Sequence, residues 1–396
     1  MRKDRMDAVT IQTAAYAQTK QENKIMYPKL IVNLDKLRAN IDACAKITKE
    51  DGNCSLMLVT KGVCADEKVC DMIIGHPQVD YMADSRVLNL AKYHDKANAG
   101  GKQTVLLRLP MLDEIKDVVR YADVSFNSEM STLTALNEEA KRQGKVHKVV
   151  LMIDLGDLRE GMFFKNEDEI FSTVEAVEAM DNLELHGIGV NLTCYGAIIP
   201  KNDNLSVLAD FAERIEGKIG RKLDMVSGGN SSSIYLIWKG ELPEKISNLR
   251  LGESFLLGND TAYGETVPGA VHDTLIVEAQ IIELKEKPSL PIGEVGKDAF
   301  GNVPVYEDRG IIKRAILGIG KQDTEVDGMI PVKLDADGNW IDDTSIEILG
   351  GSSDHTLMDM TKADREYKVG DTVTFRLEYG AMLKVATSPY VEKEYR

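Results

Sequence analysis

Lys61 closes the apolar run Ser55-Leu-Met-Leu-Val-Thr-Lys61 and is followed by Gly62 and a helical stretch. An amine at a strand end can form a Schiff base with an aldehyde cofactor. Further polar residues stand where later apolar runs stop. Arg159 lies in Asp154-Leu-Gly-Asp-Leu-Arg159-Glu-Gly161, Asn191 in Gly189-Val-Asn191-Leu-Thr-Cys-Tyr195, and Arg250 in Asn248-Leu-Arg250-Leu-Gly252-Glu253. The turn Ser227-Gly-Gly-Asn230-Ser231-Ser232-Ser233 runs towards a helical stretch, so free N–H groups and hydroxyls converge as a phosphate requires. Singly, a Ser-rich turn is a helix cap and a strand-end arginine an ion-pair partner. Together, one lysine, one phosphate-shaped turn and two arginines are the inventory that pyridoxal 5′-phosphate, a phosphate-bearing aldehyde, demands.

These residues need a scaffold that gathers strand ends. The β-like runs are Ser55 to Lys61, Tyr81 to Ala83, Thr104 to Leu109, Val124 to Phe126, Lys148 to Asp154, Leu183 to Val190, Met225 to Gly228 and Leu249 to Gly252. Amphipathic stretches such as Glu67 to Ile74, Glu129 to Arg142, Glu167 to Met180 and Leu205 to Ile219 separate them. Parallel strands need helical crossovers, so this alternation predicts a (β/α)8 TIM barrel with its chemistry at the C-terminal strand ends. A doubly wound open sheet would want a Gly-rich first turn, and Thr60-Lys61-Gly62-Val63 is not one. A helix is also expected over Asp35 to Lys49, capped by Asp35.

Beyond about Glu265 the runs Thr274 to Glu283, Gly310 to Ile319, Met329 to Leu334, Thr344 to Ile348 and Thr372 to Leu377 alternate without long helical stretches. The expected organisation is a leader over 1–26, a barrel over 27–265 and a β-rich C-terminal domain over 266–396, which the strand before Asp35 can join. The leader reads as disordered, with Met26 a candidate natural start, and Lys285 to Asp308 as a long excursion.

A net charge of -16 argues against nucleic acid, which needs a basic face. No apolar stretch approaches membrane-spanning length and no secretory signal is visible. Five cysteines without a C-x-x-C pair suit a reduced, cytoplasmic home.

Tyr27-Pro-Lys-Leu-Ile-Val-Asn-Leu-Asp35, Thr60-Lys61, Asp154 to Met162, Gly228-Gly-Asn-Ser-Ser, Leu317-Gly-Ile-Gly-Lys321-Gln-Asp323 and Gly350-Gly-Ser-Ser353-Asp354-His355 occur in this order. On these motifs the chain resembles the alanine racemase-like, fold-type III pyridoxal-phosphate enzymes, and most closely their alanine/ornithine racemase branch. The resemblance implies that Lys61 holds the cofactor and then acts as base on one face of the substrate α-carbon. It implies phosphate contacts from Asn230, Ser231 and Ser232, the backbone near Gly252, and Tyr390. Arg159 would lie near the cofactor's phenolic oxygen and the substrate carboxylate, and Asn191 beside the pyridine ring. Arg250 would face the pyridine nitrogen, where decarboxylases of this fold place a carboxylate. An arginine only donates there, so the nitrogen stays unprotonated and the ring is a restrained electron sink that favours proton exchange. Glu253, close by in the same cofactor pocket, is the carboxylate that argues the other way.

Two departures stand out. Ala65 occupies the place of a tyrosine that follows the Schiff-base lysine in alanine racemases, and Lys321 the place of their second catalytic tyrosine. The opposite-face base is therefore open between Lys321 and His355, with Ser353 a weaker proton donor; Ser353 and Asp354 are further candidate substrate contacts. In this family that base comes from the neighbouring chain, which implies a head-to-tail homodimer. The expected activity is racemisation of ornithine or another basic amino acid by two-base proton exchange. The alternatives are a basic amino-acid decarboxylase, an alanine or broad-specificity racemase, a non-catalytic pyridoxal-phosphate carrier, and an unrelated phosphate-binding barrel.

Overall fold

The computed structural model describes residues 26–396, so the expected leader up to Ile25 lies outside the described residues. Strand β1 (Lys29–Val32) precedes the strands β2 (Ser55–Val59), β3 (Tyr81–Asp84), β4 (Gln103–Leu106), β5 (Val124–Asn127) and β6 (His147–Asp154). After a short β7 (Met162–Phe163) come β8 (Leu183–Gly189), β9 (Met225–Ser227) and β10 (Asn248–Leu251). Parallel pairing runs from β2 through β3, β4, β5, β6, β8 and β9 to β10, and β10 pairs back onto β2. The sheet is thus a closed barrel, and each of the eight expected runs supplies one strand.

Alternation along the strands explains why both faces are apolar. Met57, Val59, Val105, Phe126, Val150, Met152 and Met225 fill one buried cluster. Leu56, Leu58, Leu151 and Val226 pack in a second, larger one with the helices that cover the barrel. The helix Glu67–Ile74 is typical: Asp66 caps it by accepting from the Val69 N–H (3.3 Å), and Val69, Cys70, Met72 and Ile73 are buried. The first helix spans Leu34–Ala45 and its cap is Asn33, whose Oδ1 accepts from the Lys36 N–H (2.9 Å), rather than the expected Asp35. Asp35 instead lies in the first turn, where its charge favours the helix dipole. The sequence pattern did not single out the helices Val87–Ala99 and Ile115–Tyr121, which complete the crossovers.

His147, at the start of β6, is buried with its Nε2 2.8 Å from the Ser125 hydroxyl. Burial pushes its pKa down to about 4 from 6.5. Its folded pKa is depressed, so the unfolded chain binds the extra proton between those values and stability falls as pH drops through that window. The loss approaches about 3 kcal/mol at the low end. Urea midpoints measured from pH 7 to pH 4 are expected to fall steeply in the native chain and less in His147→Gln.

The second sheet contains β11 (Leu275–Pro288), β12 (Ile311–Leu317), β13 (Met329–Leu334), β14 (Trp340–Asp342), β15 (Glu347–Gly351), β16 (Thr356–Asp359), β17 (Thr372–Leu377) and β18 (Glu392–Tyr395). Its order is β14-β13-β17-β11-β12-β16-β15, and β1 pairs antiparallel with β11 and parallel with β18. Within this β-rich domain the helix Tyr379–Thr387, which the sequence pattern did not single out, follows β17. Its residues Ala381, Met382, Val385 and Ala386 are buried, so tertiary packing decides between helix and strand for an apolar run that carries both signals. That helix carries the β-rich sheet to the mouth of the barrel.

Candidate active site

Lys61 sits in a single helical turn, Thr60–Val63, directly after β2. The residue before it is pinned: the Thr60 hydroxyl donates to Asp84 Oδ2 (2.8 Å) at the end of β3 and lies 3.2 Å from the Tyr93 hydroxyl. Burial raises the Asp84 carboxyl above its usual range, opposed by its bonds from Thr60 and Asn89. The Lys61 ammonium is exposed and stands 5.8 Å from the centre of the Tyr379 ring. Gly62 allows the close approach of the Tyr379–Thr387 helix, since a Cβ there would lie 2.9 Å from Met382 Cε and 2.7 Å from Leu256 Cδ1.

Arg250, on β10, is buried and held from several sides. Its guanidinium donates to Ser227 Oγ (2.7 Å), the Val190 carbonyl (2.8 Å) and Asn191 Oδ1 (3.3 Å), and lies 5.2 Å from the Phe126 ring centre. Burial lowers its pKa to about 10, which leaves it charged at neutral pH.

The Ser-rich turn lies between β9 and β10. Gly229 turns at φ +119, and a Cβ there would come within 2.4 Å of Ser233 Oγ, so glycine is required. Asn230 Oδ1 accepts from the Ser232 N–H (2.8 Å), while its Nδ2 donates to Asn191 Oδ1 (3.1 Å) and the Leu192 carbonyl (2.9 Å). Ser231 Oγ accepts from the N–H groups of Gly252 and Ser254 (3.2 Å each). The helix that follows this turn is short, Tyr235–Trp238; the N–H groups that meet the turn come from Gly252 and from Ser254 at the start of the helix Glu253–Leu257.

Ser232 Oγ, Ser254 Oγ and Asn191 Nδ2 are buried and have no hydrogen-bond partner among the described residues. Leaving such a group unpaired costs about 1–3 kcal/mol, so three at adjoining strand ends describe a cradle built for a polar ligand. Two hydroxyls and an amide beside a guanidinium fit an anionic, phosphate-bearing group. Ser254 was not singled out from the sequence, although a hydroxyl two residues past Gly252 in a helix's first turn is a readable signal.

Comparison with known proteins identifies the family. The family model for the alanine racemase N-terminal domain matches residues 32–258, more than half of the chain. The chain belongs to the alanine racemase family. It is 52% identical to an ornithine racemase of Acetoanaerobium sticklandii over 93% of this chain and 99% of that protein. A lysine racemase of Thermotoga maritima is 35% identical over 94% and 99%. Among solved structures, an alanine racemase of Bartonella henselae with covalently bound pyridoxal phosphate superposes with a TM-score of 0.67 at 15% identity, covering 94% of this chain and all (100%) of that one.

In this racemase-family member the other expected residues fall into two groups. Arg159 is at the barrel mouth, half exposed and ion-paired with Glu160, a bond that raises the pKa of its guanidinium. Its loop is shaped by Asp154, whose Oδ1 accepts from the N–H groups of Gly156 (2.8 Å) and Leu158 (3.1 Å). Glu253 accepts from Asn259 Nδ2 (2.9 Å); burial raises its pKa, Asp260 and Glu378 reinforce the rise, and Lys61 opposes it. Tyr390 is exposed, and it is Tyr379 whose ring faces Lys61.

Lys321, Ser353, Asp354 and His355 form the second group, at one end of the β-rich sheet. The Lys321 N–H donates to the Ser352 carbonyl (2.8 Å) and the Gln322 N–H to the Ser353 carbonyl (3.0 Å). Gly320 permits this contact, because a Cβ would lie 2.4 Å from Ser353 O. The Lys321 ammonium stands 4.3 Å from the Phe300 ring centre, and exposed His355 has Ser352 Oγ at 3.4 Å from its Nδ1. The structure therefore brings both candidate second bases together, and among the described residues no hydrogen bond or ion pair ties either to Lys61 within the chain.

Proposed function

We propose that this protein is a pyridoxal-phosphate-dependent racemase of basic amino acids, with ornithine foremost. What supports the substrate class at the site is a group of acidic residues close to the lysine: Asp260, Glu378 and Lys61 all lie near enough to Glu253 to act on it electrostatically. Carboxylates in that position would favour a cationic side chain over alanine's methyl group. The ornithine and lysine racemase relatives support the same reading.

Ser232, Ser254 and Asn191, with their unpaired buried atoms, would hold the cofactor. Bound there, it supplies an electron sink that acidifies the α-hydrogen. Lys61 would take and return a proton at one face of the α-carbon, and Arg159 would orient the substrate carboxylate. The second base, Lys321 or His355, would come from the partner chain of a head-to-tail homodimer. The setting would be cytoplasmic; among the described residues no helix is long and apolar enough to cross a membrane.

The test is a panel of L-amino acids incubated with protein and cofactor, followed by chiral chromatography. D-ornithine or D-lysine is expected to form fastest. Release of carbon dioxide and diamine from L-ornithine would instead establish the decarboxylase, and alanine as the best substrate would overturn the basic specificity.

A further inference from the structure

The end of the barrel opposite Lys61 carries a cluster that the racemase reading does not use. Glu184 and His186 are two residues apart on β8 and so share a face, while Asp224 immediately precedes β9. Its N–H donates to the His186 carbonyl (3.0 Å), which fixes the two strand starts side by side. His186 Nδ1 lies 3.2 Å from Asp224 Oδ2 and 3.8 Å from Glu184 Oε1, and one ligand atom from each of the three residues falls within 4.8 Å of the others.

The second observation is the state of the imidazole. His186 is only 3% exposed, and among the described residues neither ring nitrogen has a hydrogen-bond partner, the nearest approach being that of Nδ1 to Asp224 Oδ2 within the cluster itself (3.2 Å). Both faces of a buried imidazole left unpaired is costly, and the ring aims one nitrogen between two carboxylates. Tetrahedral bonds of about 2.0–2.2 Å put neighbouring ligand atoms roughly 3.4 Å apart, which is the spacing found around His186 Nδ1. Other cations nearby are engaged elsewhere: Arg221 with Glu178 (2.6 Å) and Lys222 with Glu216 (2.7 Å). Lys148, across from Glu184 in register, is the charge that opposes a cation here.

We propose that Glu184, His186 and Asp224 form a divalent metal site, with zinc the ion best matched to one imidazole and two carboxylates. Three protein ligands leave a fourth position for water. The ion ties the start of β8 to the start of β9, the two strands whose far ends lead to Asn191 and Ser227. This site is independent of the racemase activity and is tested without it.

Protein stripped with chelator is titrated with Zn2+ against a chromogenic competitor, alongside Asp224→Asn, Glu184→Gln and His186→Gln. One equivalent is expected to bind, and each variant to bind at least about tenfold more weakly. Because His186 is buried and its replacement can unfold the chain, the exposed Asp224→Asn variant decides the matter. Zn2+ is expected to raise the thermal midpoint of the native protein and leave that of Asp224→Asn unmoved. Co2+ in place of zinc is expected to give visible bands without the intense thiolate absorption that a cysteine site would add. Equal Zn2+ affinity in native protein and folded Asp224→Asn, or no saturable binding by the native protein, overturns the proposal.

Discussion

Lys61→Ala is expected to lower racemisation by about four orders of magnitude, the scale of losing a covalent anchor together with one acid/base group. Deuterium uptake at the α-carbon in deuterium oxide measures this, because it registers proton removal even when no net inversion occurs. Native protein loaded with cofactor is expected to carry a covalent yellow chromophore that borohydride fixes, and the variant to lack it. Its fold should survive, since Lys61 is exposed and, among the described residues, its ammonium makes no hydrogen bond or ion pair, facing the Tyr379 ring at 5.8 Å. Full exchange activity in Lys61→Ala would remove the lysine from the mechanism. Lys321→Ala and His355→Ala serve as contrasts: each should keep the chromophore, and the one that supplies the second base should lose racemisation while still exchanging hydrogen from a single enantiomer.

Replacing Arg250 with glutamate is the second large change, and it tests reaction type. The native guanidinium is buried and donates to Ser227 Oγ, the Val190 carbonyl and Asn191 Oδ1. A carboxylate there reverses the charge at this position, which the resemblance sets towards the cofactor, and strips those acceptors of a donor. Racemisation is expected to fall by about two to three orders of magnitude, the scale of losing a preorganised donor. The share of turnovers ending in transamination should rise, detected as keto acid. The Val190 carbonyl, left without its donor, adds about 1–3 kcal/mol of destabilisation, which thermal unfolding of cofactor-free protein reads separately. Arg250→Lys keeps the charge but cannot reach three acceptors at once, so it should lie between. Native racemisation with no change in products in Arg250→Glu would sink the assigned role.

Periodicity made much of the architecture readable. Met57 and Val59 on one face of β2, with Leu56 and Leu58 on the other, mark a strand buried on both sides. Repeated between amphipathic stretches, that pattern has few solutions besides a closed parallel barrel. The helix Tyr379–Thr387 was not readable in this way, because an apolar run of that length suits either element until its neighbours are known. The cap at Asn33 was missed for a smaller reason: Asn33 and Asp35 both carry capping oxygens, and backbone geometry chose between them.

At the site, residue type and strand-end position pointed to Lys61, Arg250 and the turn at Asn230 to Ser232. Local chemistry confines such groups, so one chain's sequence suffices to nominate them. Pairing and burial are different, because they arise from contacts between segments far apart in the chain. Only the folded structure aligned Ser254 with Ser232, set Tyr379 before Lys61, and gathered Lys321 and His355 onto one end of the second sheet. The sequence by itself determined the barrel and nominated residues for its chemistry; tertiary packing decided which buried polar atoms were left without partners, and hence which strand ends offer unpaired groups to a ligand.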